Sequence, residues 1–194
     1  MYAFLALNCA LAGAGVQAAG SCRRAAYAGE EQKLLAIALI PAVVSPAAMP
    51  PAIEERCKAE IVRLHDAFVA WFTGSCDSSG DTYERTIGSV LSPSFSMVTP
   101  SGSVIPANLL HERLQAAYGS HSEHGMAIEI KNVEVVSSSG SGNLLRYEEW
   151  QRSGSPEVVE TARQSTAFFQ ESGPTKLIIW VHVHETWMPG MGPP

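Results

Sequence analysis

The stretch Leu177–Met188 reads Leu-Ile-Ile-Trp-Val-His-Val-His-Glu-Thr-Trp-Met and contains no Gly or Pro. Its β-branched and aromatic content predicts a strand. Alternate side chains of a strand leave on opposite faces. One face carries Leu177, Ile179, Val181, Val183, Glu185 and Trp187; the other carries Ile178, Trp180, His182, His184 and Thr186. Both faces begin apolar, so the strand is expected at the centre of a sheet, covered on both sides. Histidines on a covered face need partners or a cavity. The expected pocket therefore lies on the face of His182 and His184.

The chain has 194 residues, enough for one domain with a real core. Hydrophobic residues make up 46% and charged residues 16%, the balance of a globular protein. From residue 52 onward, ten Lys/Arg stand against seventeen Asp/Glu, with no basic run. That charge argues against nucleic acid and anionic membrane as partners.

Residues 1–51 differ in kind. Tyr2–Ala19 is uncharged and rich in Ala, Leu and Gly, and ends in small residues around Val16-Gln17-Ala18, as a secretory signal does, though without a basic n-region. A second apolar run, Leu34–Val44, follows Arg23-Arg24 and Lys33. Each is shorter than the ~20 residues that span a bilayer, so no stable membrane insertion is expected. The tandem suits an organelle-targeting leader; a single signal, an anchor or a start site upstream of Met49 stay open. A real leader implies a secreted or organelle-targeted protein, and its absence a cytoplasmic one. Pro46, Pro50 and Pro51 separate it from a domain expected over 52–188, with 189–194 as a tail. Cys57 and Cys76 flank the first domain helix about 25 Å apart by helical rise, too far for a disulfide, so the cysteines do not fix the compartment.

Ile53, Cys57, Ile61, Leu64, Phe68 and Trp71/Phe72 recur in steps of three and four, the stripe of an amphipathic helix ended by Gly74. Asp81 or Thr82 is expected to cap a second helix that stops at Pro93. A hairpin follows, Ser94–Thr99 turning at Pro100-Ser101-Gly102 into Ser103–Ile105, then a third helix over Ala107–Tyr118. Four strands complete the chain: Met126–Ser137, Asn143–Arg152, Val158–Glu171 and the run described first. Short connections predict an antiparallel meander. Helices collected on one side of a curved antiparallel sheet make an α+β fold.

Leu64-His65-Asp66-Ala67-Phe68, the hairpin Phe95–Gly102 and Trp180-Val181-His182-Val183-His184 resemble the nuclear transport factor 2-like superfamily, and within it the SnoaL-like domains and the association domain of calcium/calmodulin-dependent kinase II. The resemblance spans about residues 52–188. It implies a cone-shaped α+β barrel with three helices, a cavity between sheet and helices, and a homodimer through the sheet's outer face. Members range from ketosteroid isomerase, polyketide cyclases and scytalone dehydratase to proteins without catalysis, so fold alone does not give function. Where ketosteroid isomerases carry their aspartate base, this chain has Thr99, no base near neutral pH. Where the kinase domain carries two arginines, Arg146 matches one and Ala167 replaces the other.

The expected pocket residues are His184, His182, Arg146, Glu148, Trp150, Thr99, Met97, His65 and Trp180. Arg146, Glu148 and Trp150 share a strand face, which can form an Arg–Glu–His cluster able to orient a carboxylate or carbonyl; a structural ion pair is the alternative. His182-x-His184 has metal-site spacing but no assured third ligand, and neither a metal nor a cofactor is expected. His65 sits beside the Leu64/Phe68 stripe. Leu145, Tyr147, Val181, Val183 and Trp187 are expected on the dimer face. Two function classes follow: a module that binds a small apolar or carboxylate ligand or drives assembly, and an isomerase, dehydratase or cyclase acting on an apolar carbonyl compound.

Overall fold

A computed structural model describes residues 51–154 and 160–193. The expected leader, Pro51 apart, and the expected strand start at Val158 lie outside the described residues. Helix α1 (Ile53–Thr73) buries Cys57, Ile61, Leu64, Trp71 and Phe72, the stripe read from the sequence. It ends at Gly74, φ 68°, where the N–H groups of Gly74 and Ser75 take up the carbonyls of Trp71 and Ala70. Only glycine adopts that left-handed position without cost. Ser79, two residues before Asp81 and three before Thr82, the expected capping residues, caps α2 (Gly80–Thr86) by accepting from the Thr82 N–H at 3.2 Å. A 3-10 turn, Gly88–Val90, leads into strand β1 (Leu91–Val98). Pro93, expected to stop the second helix, lies inside β1, where the register with its neighbour is irregular between Leu91 and Ser96. A strand tolerates proline at such a break because no ladder hydrogen bond is lost.

Strand β2 (Val104–Pro106), helix α3 (Ala107–Ala116) and strands β3 (Met126–Ser139), β4 (Gly142–Ser153), β5 (Thr161–Ser172) and β6 (Leu177–Trp187) complete the order. The sheet runs β2-β1-β6-β5-β4-β3. The meander β3 to β6 is antiparallel, as the short turns require. Strands β1 and β6 are parallel, so the sheet is mixed. The turn argument never reached this pair, which the rest of the domain separates.

One irregularity decides which side chains face inward. Across β5 and β6, Phe168 pairs with His182 and Phe169 with Trp180, so Val181 is an extra residue on β6. Such a bulge breaks the alternation. Ile178 and Trp180 are buried before it, Val183 and Glu185 after it, while His184 and Thr186 are exposed. The core lies between α1, α3 and this inner face. Trp180 meets Phe169 edge-on at 4.6 Å between ring centroids, and the Trp71 indole donates to the Leu114 carbonyl at 2.7 Å, tying α1 to α3. Leu145, Tyr147 and Val183, expected on the dimer face, are 0%, 2% and 5% exposed within this core. β4 alternates as expected, with the opposite face turned inward. Among the described residues no helix is long and apolar enough to cross a membrane.

Candidate functional site

Between α1, α3 and the inner sheet face lies a cavity of about 50 Å³. Phe68 and Phe72 of α1, Phe95 and Met97 of β1, and Leu110 and Leu114 of α3 form its apolar wall. Its polar side is made by His65, Tyr147, Glu149 and Glu185. On this measure one water needs ~10–15 Å³, so the space suits a few heavy atoms.

The polar side belongs to a buried cluster. Arg163 of β5, 1% exposed, donates to Glu149 at 3.0 Å and to Glu185 at 2.9 Å. Glu149 also accepts from Gln151 at 2.6 Å, and its second oxygen lies 3.3 Å from His65 Nε2. His65 Nδ1 lies 2.7 Å from the Ile61 carbonyl, one helical turn back. The ring nitrogens thus bridge the helix backbone and the sheet carboxylate. Above this, Glu60 accepts two hydrogen bonds from Arg63 at 2.6 Å and one from the Trp180 indole at 3.2 Å, fixing that ring over the cavity.

Burial removes water from every charge here, so neighbours decide ionisation. For Glu149, burial acts upward, but the Arg163 guanidinium and then His65 outweigh it and hold the carboxyl well below its ordinary value. For Glu185, burial pushes up and Arg163 opposes; the charge of Glu149 adds to the rise, which reaches about 7. Burial lowers His65, yet Glu149 outweighs it and the imidazole is raised. Burial lifts the Tyr147 phenol well above its usual range, so it stays a donor. Glu149 is therefore a fixed anion, while Glu185 exchanges a proton near neutrality.

Of the residues singled out in the sequence, His65, Met97 and Trp180 line the cavity. His184 is exposed, and His182, half-buried, meets Ser96 at 2.9 Å; the bulge turns both away from the cavity. Arg146 pairs with Glu134 at 2.5 Å on the outside of the sheet. Glu148 accepts from Asn132 and from the Trp150 indole, each at 2.9 Å, and Lys131 lies over the Trp150 ring. Thr99 shapes the hairpin turn, its hydroxyl accepting from the Ser103 N–H at 3.1 Å. None of these six reaches the cavity. Tyr147, Glu149 and Glu185, which line the cavity, and Arg163, which pairs with both carboxylates, are not among the expected pocket residues. The signal for β4 was present: Leu145, Tyr147, Glu149 and Gln151 form a more apolar set than Arg146, Glu148, Trp150 and Arg152. No residue type announces the bulge that turns Glu185 inward.

No family model and no curated protein matches the chain. Among solved structures, it resembles an NTF2-like protein of unknown function from Pseudomonas aeruginosa, with 28% identity and a TM-score of 0.59 over 68% of this chain and 98% of that one. A putative dehydratase of the NTF2-like family from Streptomyces avermitilis matches with 18% identity and a TM-score of 0.52 over 69% and 94%. The β subunit of a benzoate 1,2-dioxygenase from Burkholderia mallei matches with 13% identity and a TM-score of 0.51 over 73% and 94%.

Proposed function

We infer that this chain, a member of the nuclear transport factor 2-like superfamily, is a binding module for a small, mostly apolar molecule held between sheet and helices. The observation that carries this reading is a cavity with phenylalanine walls and the Glu185 carboxyl within it. Arg163 meets one oxygen of that carboxyl, and a buried carboxyl is costly away from water unless its other oxygen is met as well, by a ligand or by water. Native mass spectrometry of the gently purified full chain tests it. A retained small molecule, lost on unfolding, supports the reading. A bare mass, with no response to small apolar probes, ends it.

A second reading, a small isomerase or dehydratase, is supported by Glu185 itself: a carboxyl raised to about 7 exchanges protons at working pH. Exchange of the α-protons of a small ketone in heavy water, faster than buffer and abolished in Glu185→Gln, supports it. No exchange above buffer leaves binding alone.

We also propose a homodimer through the outer sheet face, with the contributing residues revised. Leu144, Phe168, Ile179 and Val181 are half-buried on that face and form an apolar strip that pairing of two copies would cover. Light scattering of the full chain at tens of micromolar tests this: a dimer that dissociates in Phe168→Glu is expected, and a wild-type monomer refutes it.

A further inference from the structure

We propose that the cavity takes a small organic cation, an amine with a short branched apolar group, its ammonium on Glu185 and its apolar part among Phe68, Phe72 and Phe95. This deepens the pocket reading and rests on it.

The first ground is charge. Among the described residues, the groups facing Glu185 are Arg163 from β5, Tyr147 and Glu149 from β4, and His65 from α1. β1, β3 and α3 present only apolar side chains to the cavity. One guanidinium is shared between two carboxylates, and His65, whose ring nitrogens face the Ile61 carbonyl and Glu149, supplies its positive charge on the Glu149 side. Glu185 is left with its share of Arg163 alone and takes up a proton near neutral pH. A ligand that brings its own positive charge replaces that proton.

The second ground is position. Both oxygens of Glu149 are engaged, by Arg163, Gln151 and His65. Glu185 gives one oxygen to Arg163, and the other remains for the cavity. The third ground is the wall. Aromatic faces attract a desolvated ammonium, by ~2 kcal/mol where water is excluded. An anion would meet both carboxylates with the nearest guanidinium already committed. The cavity of about 50 Å³ limits the ligand to a few heavy atoms.

Isobutylamine, isobutanol, 3-methyl-2-butanone and isobutyrate are matched probes: one cation, two neutral molecules, one anion. Calorimetry or ligand-detected NMR on the full chain at pH 6 and pH 8 tests the assignment. The amine is protonated at both pH values, so a pH effect on its binding comes from the protein. At pH 8 the amine is expected to bind at least ten-fold tighter than isobutanol, with isobutyrate inert. At pH 6 the amine should weaken by about ten-fold while isobutanol is unchanged. Calorimetry near pH 6.5 in buffers of different ionisation enthalpy should read close to one proton released per amine bound. Glu185→Gln should abolish the preference for the amine and keep isobutanol; if that variant fails to fold, the wild-type pH comparison decides. A neutral probe binding tighter than the amine overturns the cation assignment and leaves the pocket standing. No binding of any probe overturns both.

Discussion

Glu185 accepts a hydrogen bond from Arg163 at 2.9 Å with both side chains almost wholly buried, yet the pair does not hold Glu185 in its ionised form. Arg163 serves Glu149 as well, and the second carboxylate, together with burial, outweighs it. A carboxyl raised from 4.5 to about 7 binds more protons folded than unfolded between those values. Its contribution is therefore complete below the unfolded value and is lost as pH rises through about 7. Glu149 acts in the opposite sense, its contribution being lost as pH falls toward acid. Comparing wild type with Glu185→Gln isolates the first effect. Urea unfolding from pH 4.5 to pH 8 should show wild-type stability declining relative to the variant by about 1.4 kcal/mol per unit in mid-window, then levelling. Parallel curves would place the shared proton elsewhere in the cluster.

Removing the guanidinium leaves two carboxylates facing each other with only the His65 imidazole to offset them. Arg163→Met keeps most of the apolar stem and deletes the charge. Breaking a buried ion pair costs about 3–5 kcal/mol, and here the loss should grow with pH, because lower pH lets Glu185 and then Glu149 neutralise. Thermal melts at pH 5 and pH 8 read this directly: the deficit in Tm should be larger at pH 8. An equal deficit at both would make Arg163 a packing element rather than a counter-ion.

His184 is the residue that the sequence tied most closely to the pocket, and it lies exposed on the outer face. His184→Gln is expected to change stability by no more than about 0.5 kcal/mol, as surface substitutions do, and to leave cavity binding of a small probe intact. Lost binding with a normal melt would return the pocket to the other face.

The order of elements was legible because each signal is local. The stripe of α1, Gly74 and the small polar turns of the meander depend on a few neighbouring residues. The cavity was not, because it depends on relations between strands. The alternation that groups Tyr147 with Glu149 was visible, but choosing their face required weighing β4 against β5, where Arg163 and Ser165 are buried beside Ala167 and Phe169. The turn of Glu185 inward rests on one inserted residue, Val181. Its neighbours on both sides are β-branched or aromatic, so nothing in the local composition sets it apart. Two histidines on one strand face point to that face as the pocket, whereas Glu149 and Glu185 share their faces with apolar residues that suit a dimer contact equally well.

Trp180 offers a test of how the helix holds the cavity's ceiling. Its indole donates to Glu60, which Arg63 also clamps, and Arg63 reaches the Thr86 carbonyl at 2.8 Å. One hydrogen-bond chain therefore runs from β6 through α1 to the end of α2. Trp180→Phe removes the donor and part of the ring, leaving the Phe169 contact. The lost hydrogen bond is worth ~1 kcal/mol and the removed ring carbons leave a void costing a similar or larger amount, so a loss of about 2–3 kcal/mol is expected. The void opens beside the cavity, so the same variant should bind a larger apolar probe more tightly than wild type. Glu60→Gln separates the two contributions, since it keeps an acceptor for the indole but weakens the Arg63 clamp. A destabilised Trp180→Phe with unchanged probe size preference would mean that α1 settles into the space and that the indole sets stability, not cavity volume.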